Sequence, residues 1–453
     1  MTDTTRRGFV TGCCAAIAAY SGTRFNTVAF GQPGSNEDIL VHVFLRGGLD
    51  GLNLIPPIDG ADRGHYEFAR PDLAVPTTGS DAALPLNAQF GLNSRAAPLH
   101  DLFTNGSLAV INATGTSTVA TRSHFDSMRD IELGTPGTAT TSTGWLTRHL
   151  QSASNLPPQI VAPALALGGT QQRSLQGSFD SLNMNSSSDF RLNTGPSSWR
   201  SAQRVALRRI LQRGGSSVHQ TGSQTLDALD IVELNVSTTY NPANGAVYPN
   251  STFGNHLKLL AQMIKLNLGL RIATIDFGGW DNHNGQGNAG GGNYGTRVQA
   301  LAEGLAAFYT DLDGAGDQNF NNRTTLVVQS EFGRRLVENA DNGTDHGHGN
   351  VMLALGGQVN GGIYGQWPGL ANDQLFDGAD LAVTTDFRTV LSEILIRRMA
   401  NRRLGLIFPG WDQYQPLGIV QGTDLPPIFT DPFFQDGFES GDTSAWTATV
   451  GGI

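Results

Sequence analysis

The chain has 453 residues, 39% hydrophobic and 15% charged, with a formal net charge of −10. That length allows one large α/β domain or two smaller ones, and the composition excludes a disordered or membrane-embedded chain. The acidic balance, with no basic stripe to offset it, argues against gripping nucleic acid.

Thr5-Arg6-Arg7-Gly8-Phe9-Val10 precedes a mildly apolar run from Gly12 to Tyr20. Paired arginines ahead of a weak hydrophobic region have the pattern of a twin-arginine export signal over residues 1–31. This predicts a periplasmic or secreted protein. Both cysteines, Cys13 and Cys14, lie inside the signal, so the mature chain is expected to lack disulfides and thiolate chemistry. Loss of Arg6, Arg7, Arg24 and Asp3 with the signal moves the formal charge from −10 to −12. No later stretch approaches roughly 18 consecutive apolar residues, so no integral membrane segment is expected after signal removal.

The run Ile39 to Leu45 reads as a buried strand ending in Arg46-Gly47-Gly48-Leu49-Asp50-Gly51, a glycine loop of the kind that receives ligands at the carboxyl edge of an open sheet. Comparable runs follow at 108–111, 160–162, 165–167, 271–275, 325–328 and 351–355. Helical patterns lie between them at Trp199 to Leu211, Leu226 to Leu234, Gly254 to Leu268, Val298 to Leu312 and Phe387 to Met399. The alternation predicts an α/β domain over 38–415, a mostly parallel central sheet with helices on both faces. Residues 430–453, acidic and aromatic after a proline-rich joint, form a short appendage.

Chemistry-bearing residues gather at the predicted strand ends. Asp276-Phe277-Gly278-Gly279-Trp280-Asp281-Asn282-His283 follows the strand at 271–275, and Thr344-Asp345-His346-Gly347-His348-Gly349 precedes the one at 351–355. Asp281 and His283 are two apart, as are His346 and His348, so on extended backbone each pair faces one side and can approach one ion. Carboxylate with imidazole suits zinc best, then manganese or iron, while calcium prefers oxygen ligands. Asp50 and Glu331 offer further carboxylates, and Arg334 a guanidinium for an anion. In Thr121-Arg122-Ser123-His124, Ser123 heads a predicted helix, where it is either a simple N-cap or a hydroxyl presented to the helix's positive end.

In this order, Arg-Gly-Gly-x-Asp-Gly-Leu-Asn, Arg-Ser-His-Phe, Gly-Gly-Trp-Asp-x-His, Ser-Glu-Phe-Gly-Arg and Asp-His-Gly-His-Gly-Asn resemble the exported bacterial "domain of unknown function 1501" proteins, over residues 38 to 410. The resemblance implies an alkaline-phosphatase-like three-layer α/β sandwich, grouped with phosphatases and sulfatases, holding one or two divalent metals. By position it makes Asp50 the first-strand metal aspartate, Ser123 the nucleophile, Asp281 and His283 paired ligands and His348 the last histidine. Asp345 and His346 are placed by proximity. The chain departs from the superfamily in spacing Asp281 and His283 two apart rather than four, and in having Glu331-Phe332 where an Asp-His pair is usual.

The expectation is a metal-dependent hydrolase of a small anionic ester, or of a sulfated or phosphorylated polymer. Ser123 attacks; Asp50, Asp281, His283, Glu331, Asp345, His346 and His348 hold the metal; Arg122 or Arg334 balances the anion's charge. The alternative is a catalytically degenerate relative that serves as an exported binding or surface-assembly protein.

Overall fold

The computed structural model describes residues 37–430, apart from 138–140, 155, 157–162, 179–180, 187–195, 268, 289–290 and most of 217–238. The expected signal and appendage, the strand at 160–162 and most of the helix at 226–234 lie outside the described residues.

Strands β1 (Ile39–Arg46), β2 (Leu84–Pro85), β3 (Gly91–Leu92), β4 (Leu108–Gly115), β5 (Ala164–Leu167), β6 (Ser181–Met184) and β7 (Ile272–Gly278) are followed by β8 (Thr324–Ser330), β9 (Arg334–Glu338), β10 (Thr344–His346), β11 (Asn350–Leu355), β12 (Gly362–Tyr364) and β13 (Thr385–Asp386). One sheet runs in the order β12-β4-β11-β8-β1-β7-β5-β6, with β13 beside β4. Its described pairings are parallel except those of β11, which is antiparallel to both β4 and β8.

Alternate residues of β1 explain the layering. Ile39, Val41, Val43 and Leu45 join a core with the helices Thr252–Lys265 and Gly292–Leu312. Leu40 and Phe44 join the opposite core with the helices His124–Leu133, Trp145–Ser152 and Phe387–Arg397. A strand covered on both faces is apolar almost throughout, which is why this run does not alternate; its one polar residue before Arg46, His42, is buried against Gln329. Each large side chain buried this way contributes about 1.5–3 kcal/mol.

Register then sets the site's place. β1 lies between β7 and β8 with Arg46 opposite Gly278 and Leu45 opposite Ser330, so the carboxyl ends of the three strands are level. β4, parallel to β8 through the intervening β11, delivers the loop into the 124–133 helix at the same edge. Because β11 runs the other way, the hairpin β9–β10 before it returns to that edge too.

Candidate metal centre

Four segments meet above the carboxyl ends of β1, β7 and β8. Gly47 makes the approach feasible. Its φ is +124°, and a Cβ there would stand 2.5 Å from Asp281 N and 2.9 Å from Trp280 C. Only a residue without a side chain lets the 280–281 backbone lie against the end of β1.

Three imidazoles converge on the Asp281 carboxylate. His283 Nε2 is 3.0 Å and His346 Nε2 3.1 Å from Asp281 Oδ1, and the two nitrogens are 2.9 Å apart. His124 Nε2 is 3.3 Å from Oδ2. Each ring is anchored from behind through Nδ1. His124 donates to Glu331 Oε1 at 2.8 Å, His346 to the carbonyl of Arg122 at 2.8 Å, and His283 to Asp345 Oδ1 at 3.2 Å. Since those partners only accept, each Nδ1 donates, and the three Nε2 atoms face one another and the Asp281 carboxylate.

The donor atoms of His124, Asp281 and His346 all lie within 4.8 Å of one another, with His124 Nε2 buried beside the Asp281 carboxylate. A tetrahedral ion with zinc–nitrogen bonds of about 2.0–2.1 Å sets its ligand atoms about 3.3 Å apart, close to the 2.9–3.3 Å found around Asp281. Two nitrogens, from His124 and His346, and one oxygen from Asp281 are compact enough to take a divalent metal, with His283 against the Asp281 and His346 side and each ring oriented by an outer acceptor.

Charge is tuned to match. Burial pushes the Asp281 carboxyl upward, but the Arg334 guanidinium at 2.8 Å and the neighbouring imidazoles outweigh it and hold the group at about 2. Glu331 is likewise lowered despite burial, by His124 and the N–H groups of Gly47 and Gly48. Glu331 raises His124, whereas burial lowers His346.

The expected site residues divide. Asp281, His283 and His346 come together as a ligand set. Glu331 stands behind them: Oε1 accepts from Gly47 N and His124, and Oε2 from the Ser330 hydroxyl, so it orients His124. Asp345 orients His283 and is held by Asn339. Asp50 is elsewhere, buried against Arg70 at 2.6 Å, accepting from Gln286 and capping the short helix Gly51–Leu54. Arg70 and Gln286 both bond to Oδ2, and Oδ1 accepts from Asn53 N. His348 packs on Phe376 with ring centroids 4.4 Å apart, and burial lowers it to about 4.

Neither arginine is an anion clamp. Arg334, fully buried, spends its donors on the carbonyls of Gly47, Gly48, Thr344 and Trp280 and on Asp281. Arg122 pairs with Asp377 and Asp380. Ser123 caps the 124–133 helix, its Oγ accepting from Asp126 N at 3.4 Å. His124, its neighbour, is the candidate ligand absent from the sequence-based set. The signal was present, an imidazole on the first residue of a helix entering a strand-end cluster. Phe332 floors the site, its ring centroid 5.0 Å from that of His124 and 4.7 Å from that of His346.

The model of a family described as "Protein of unknown function (DUF1501)" matches residues 106–401, which include His124, Asp281, His283 and His346. The chain belongs to that family. No curated protein matches it. Among solved structures it is similar to the lipoteichoic acid synthase LtaP from Listeria monocytogenes, at 10% identity over 91% of this chain and 80% of that one, with a TM-score of 0.34. A sulfatase candidate from Bacteroides thetaiotaomicron is similar at 8% identity over 72% of this chain and 66% of that one, with a TM-score of 0.30.

Proposed function

We propose that the protein is an exported, metal-dependent hydrolase of phosphate or sulfate esters. The observation that carries this reading is the convergence of three imidazole nitrogens on the Asp281 carboxylate. Asp281, His124, His283 and His346 hold the ion; zinc suits the donors best, manganese and iron share the preference, and three nitrogens disfavour calcium. When bound, the ion supplies Lewis acidity and the positive focus an anionic ester needs. Arg122 and Arg334 are engaged elsewhere, so the N-terminus of the 124–133 helix is the chain's own contribution to that focus.

Ser123 is the nucleophile, being the residue before a ligand and heading that helix. Its Oγ bonds to the phosphorus or sulfur in line as the alcohol leaves, and water then cleaves the enzyme ester. Asp281 and His283, 46% and 42% exposed, keep the centre open to substrate. Export rests on the paired arginines Arg6 and Arg7, and no described helix is long and apolar enough to cross a membrane.

The test is metal content together with turnover of nitrophenyl phosphate and nitrophenyl sulfate, for wild type and Ser123→Ala. Bound divalent metal in both proteins, with activity lost in the variant, supports the reading. Full activity in Ser123→Ala removes the nucleophile. A second reading, a non-catalytic exported binding or surface-assembly protein, is favoured by Phe332, an apolar ring against two of the imidazoles. Protein that holds no metal and gains no thermal stability from zinc, manganese or calcium decides for it.

A further inference from the structure

A cavity of about 260 Å³ lies on the flank of the metal centre. It shares the centre's framework. Arg46 on its wall precedes Gly47, and Phe125 follows His124, with Met128 one turn on. Asp276, also on the wall, lies on β7, the strand that leads to Asp281.

The lining is polar but balanced. Arg46 is held between Glu132 at 2.8 Å and Asp276 at 2.9 Å. Arg173 at the rim makes the formal charges equal, two positive and two negative. A charged ligand part gains nothing there. Hydrogen-bonding capacity does remain. Gln172 is 5% exposed, its Oε1 accepts from the Thr274 hydroxyl, and its side chain also hydrogen-bonds Asp276, which fixes that carboxylate at the cavity wall. Asp276 is one-third exposed and offers carboxylate oxygen. Over this polar floor stands Phe125, 80% exposed, an apolar face left in water beside the centre. The volume is below the roughly 300–1,000 Å³ of drug-sized pockets, which suits a single ring.

We propose that this cavity takes a neutral, hydroxyl-bearing ring, the alcohol portion of the ester, so that the substrate is a phosphate or sulfate ester of a saccharide. A sugar presents C–H groups to Phe125 on one face, and hydroxyls that donate to the Asp276 carboxylate. The assignment rests on the hydrolase reading above and extends it to the substrate's uncharged part.

Two measurements on the full chain keep the two readings distinguishable. The first is binding of methyl glycosides of glucose, galactose and mannose to chelator-treated protein, followed by saturation-transfer NMR. This needs neither metal nor turnover. At least one glycoside binds, and Phe125→Ala weakens it roughly tenfold. Asp276→Asn, a near-isosteric change, weakens it as well. The second compares kcat/KM for monosaccharide phosphates and sulfates with that for nitrophenyl esters; Phe125→Ala lowers the ratio through KM. Turnover of nitrophenyl esters, with no glycoside bound and no preference for sugar esters, overturns the saccharide assignment and leaves the hydrolase standing. Glycoside binding that depends on Phe125, with no ester cleaved, overturns the hydrolase and leaves the ring site. Neither binding nor turnover overturns both.

Discussion

Gly47→Ala tests whether the centre depends on one backbone contact. The residue stands at φ +124°, and the new Cβ would meet Asp281 N at 2.5 Å and Trp280 C at 2.9 Å. Both are backbone atoms and cannot swing aside as a side chain can. Holding alanine in that conformation costs about 1–3 kcal/mol, and relieving the overlap about 1–3 kcal/mol more. The destabilisation is therefore roughly 2–6 kcal/mol. Relief by moving 280–281 outward draws the carboxylate away from His283 and His346, so zinc affinity falls in the same variant. Gly47 also donates to Glu331 and accepts from Arg334, so shifting it instead disturbs the support of His124. Unfolding entropy of about 2.1 cal/mol/K per residue makes each kcal/mol worth only about 1 °C in a chain this long. A urea midpoint followed by tryptophan fluorescence, with zinc titration against a chromophoric chelator, is the sharper assay. Wild-type midpoint and wild-type affinity in Gly47→Ala would refute the reasoning.

Three further outcomes follow from the same geometry. Asp50→Asn leaves the Arg70 guanidinium buried without its counter-charge and costs about 3–5 kcal/mol in denaturant unfolding, while bound metal stays at the wild-type level; lost metal with unchanged stability would return Asp50 to the ligands. Glu331→Gln keeps the volume but loosens His124, weakening zinc about 10–100-fold by chelator competition; unaltered affinity contradicts the orienting role. Asp281 has its carboxyl depressed from 3.8 to about 2, so its stabilisation is complete above pH 3.8 and vanishes as pH falls through 2. At 46% exposure, solvent screening holds that contribution below about 1 kcal/mol. Acid unfolding of metal-free wild type and Asp281→Asn should accordingly draw together as pH falls from 3.8 through 2, and a gap undiminished below pH 2 would be incompatible with this origin.

Much of the layout was legible because it is written in local pattern. β1, β4, β7, β8 and β11 each stand on a short apolar run; Asp281 and His283 do meet, but beyond the end of β7, where Asn282 N bonds back to the Trp280 carbonyl in a tight turn and not on extended backbone. What was not legible depends on partners distant in sequence. Nothing in Asn350 to Leu355 announces that β11 runs against its neighbours, yet that reversal brings the hairpin to the site. His346 and His348 were expected on one face, but β10 ends at His346 and its ladder is irregular, so the i, i+2 rule does not reach His348. Asp50 has a ligand's position at a strand end, and only Arg70, twenty residues on, shows it to be spent.

The charge around the three imidazoles explains why their anchoring matters. Asp281, Glu331 and Asp345 are all held below their ordinary range, and Arg334 is the buried counter-charge beside Asp281. With neutral rings the group carries three negative charges and one positive, a net −2. Protons balance this poorly. His283 Nε2 and His346 Nε2, 2.9 Å apart, share room for one proton between them, since two N–H groups cannot point at each other across that gap. A divalent ion brings the same group to neutrality and meets all the lone pairs at once. Glu331, Asp345 and the Arg122 carbonyl, each accepting from an Nδ1, leave the Nε2 atoms turned toward the position such an ion would take.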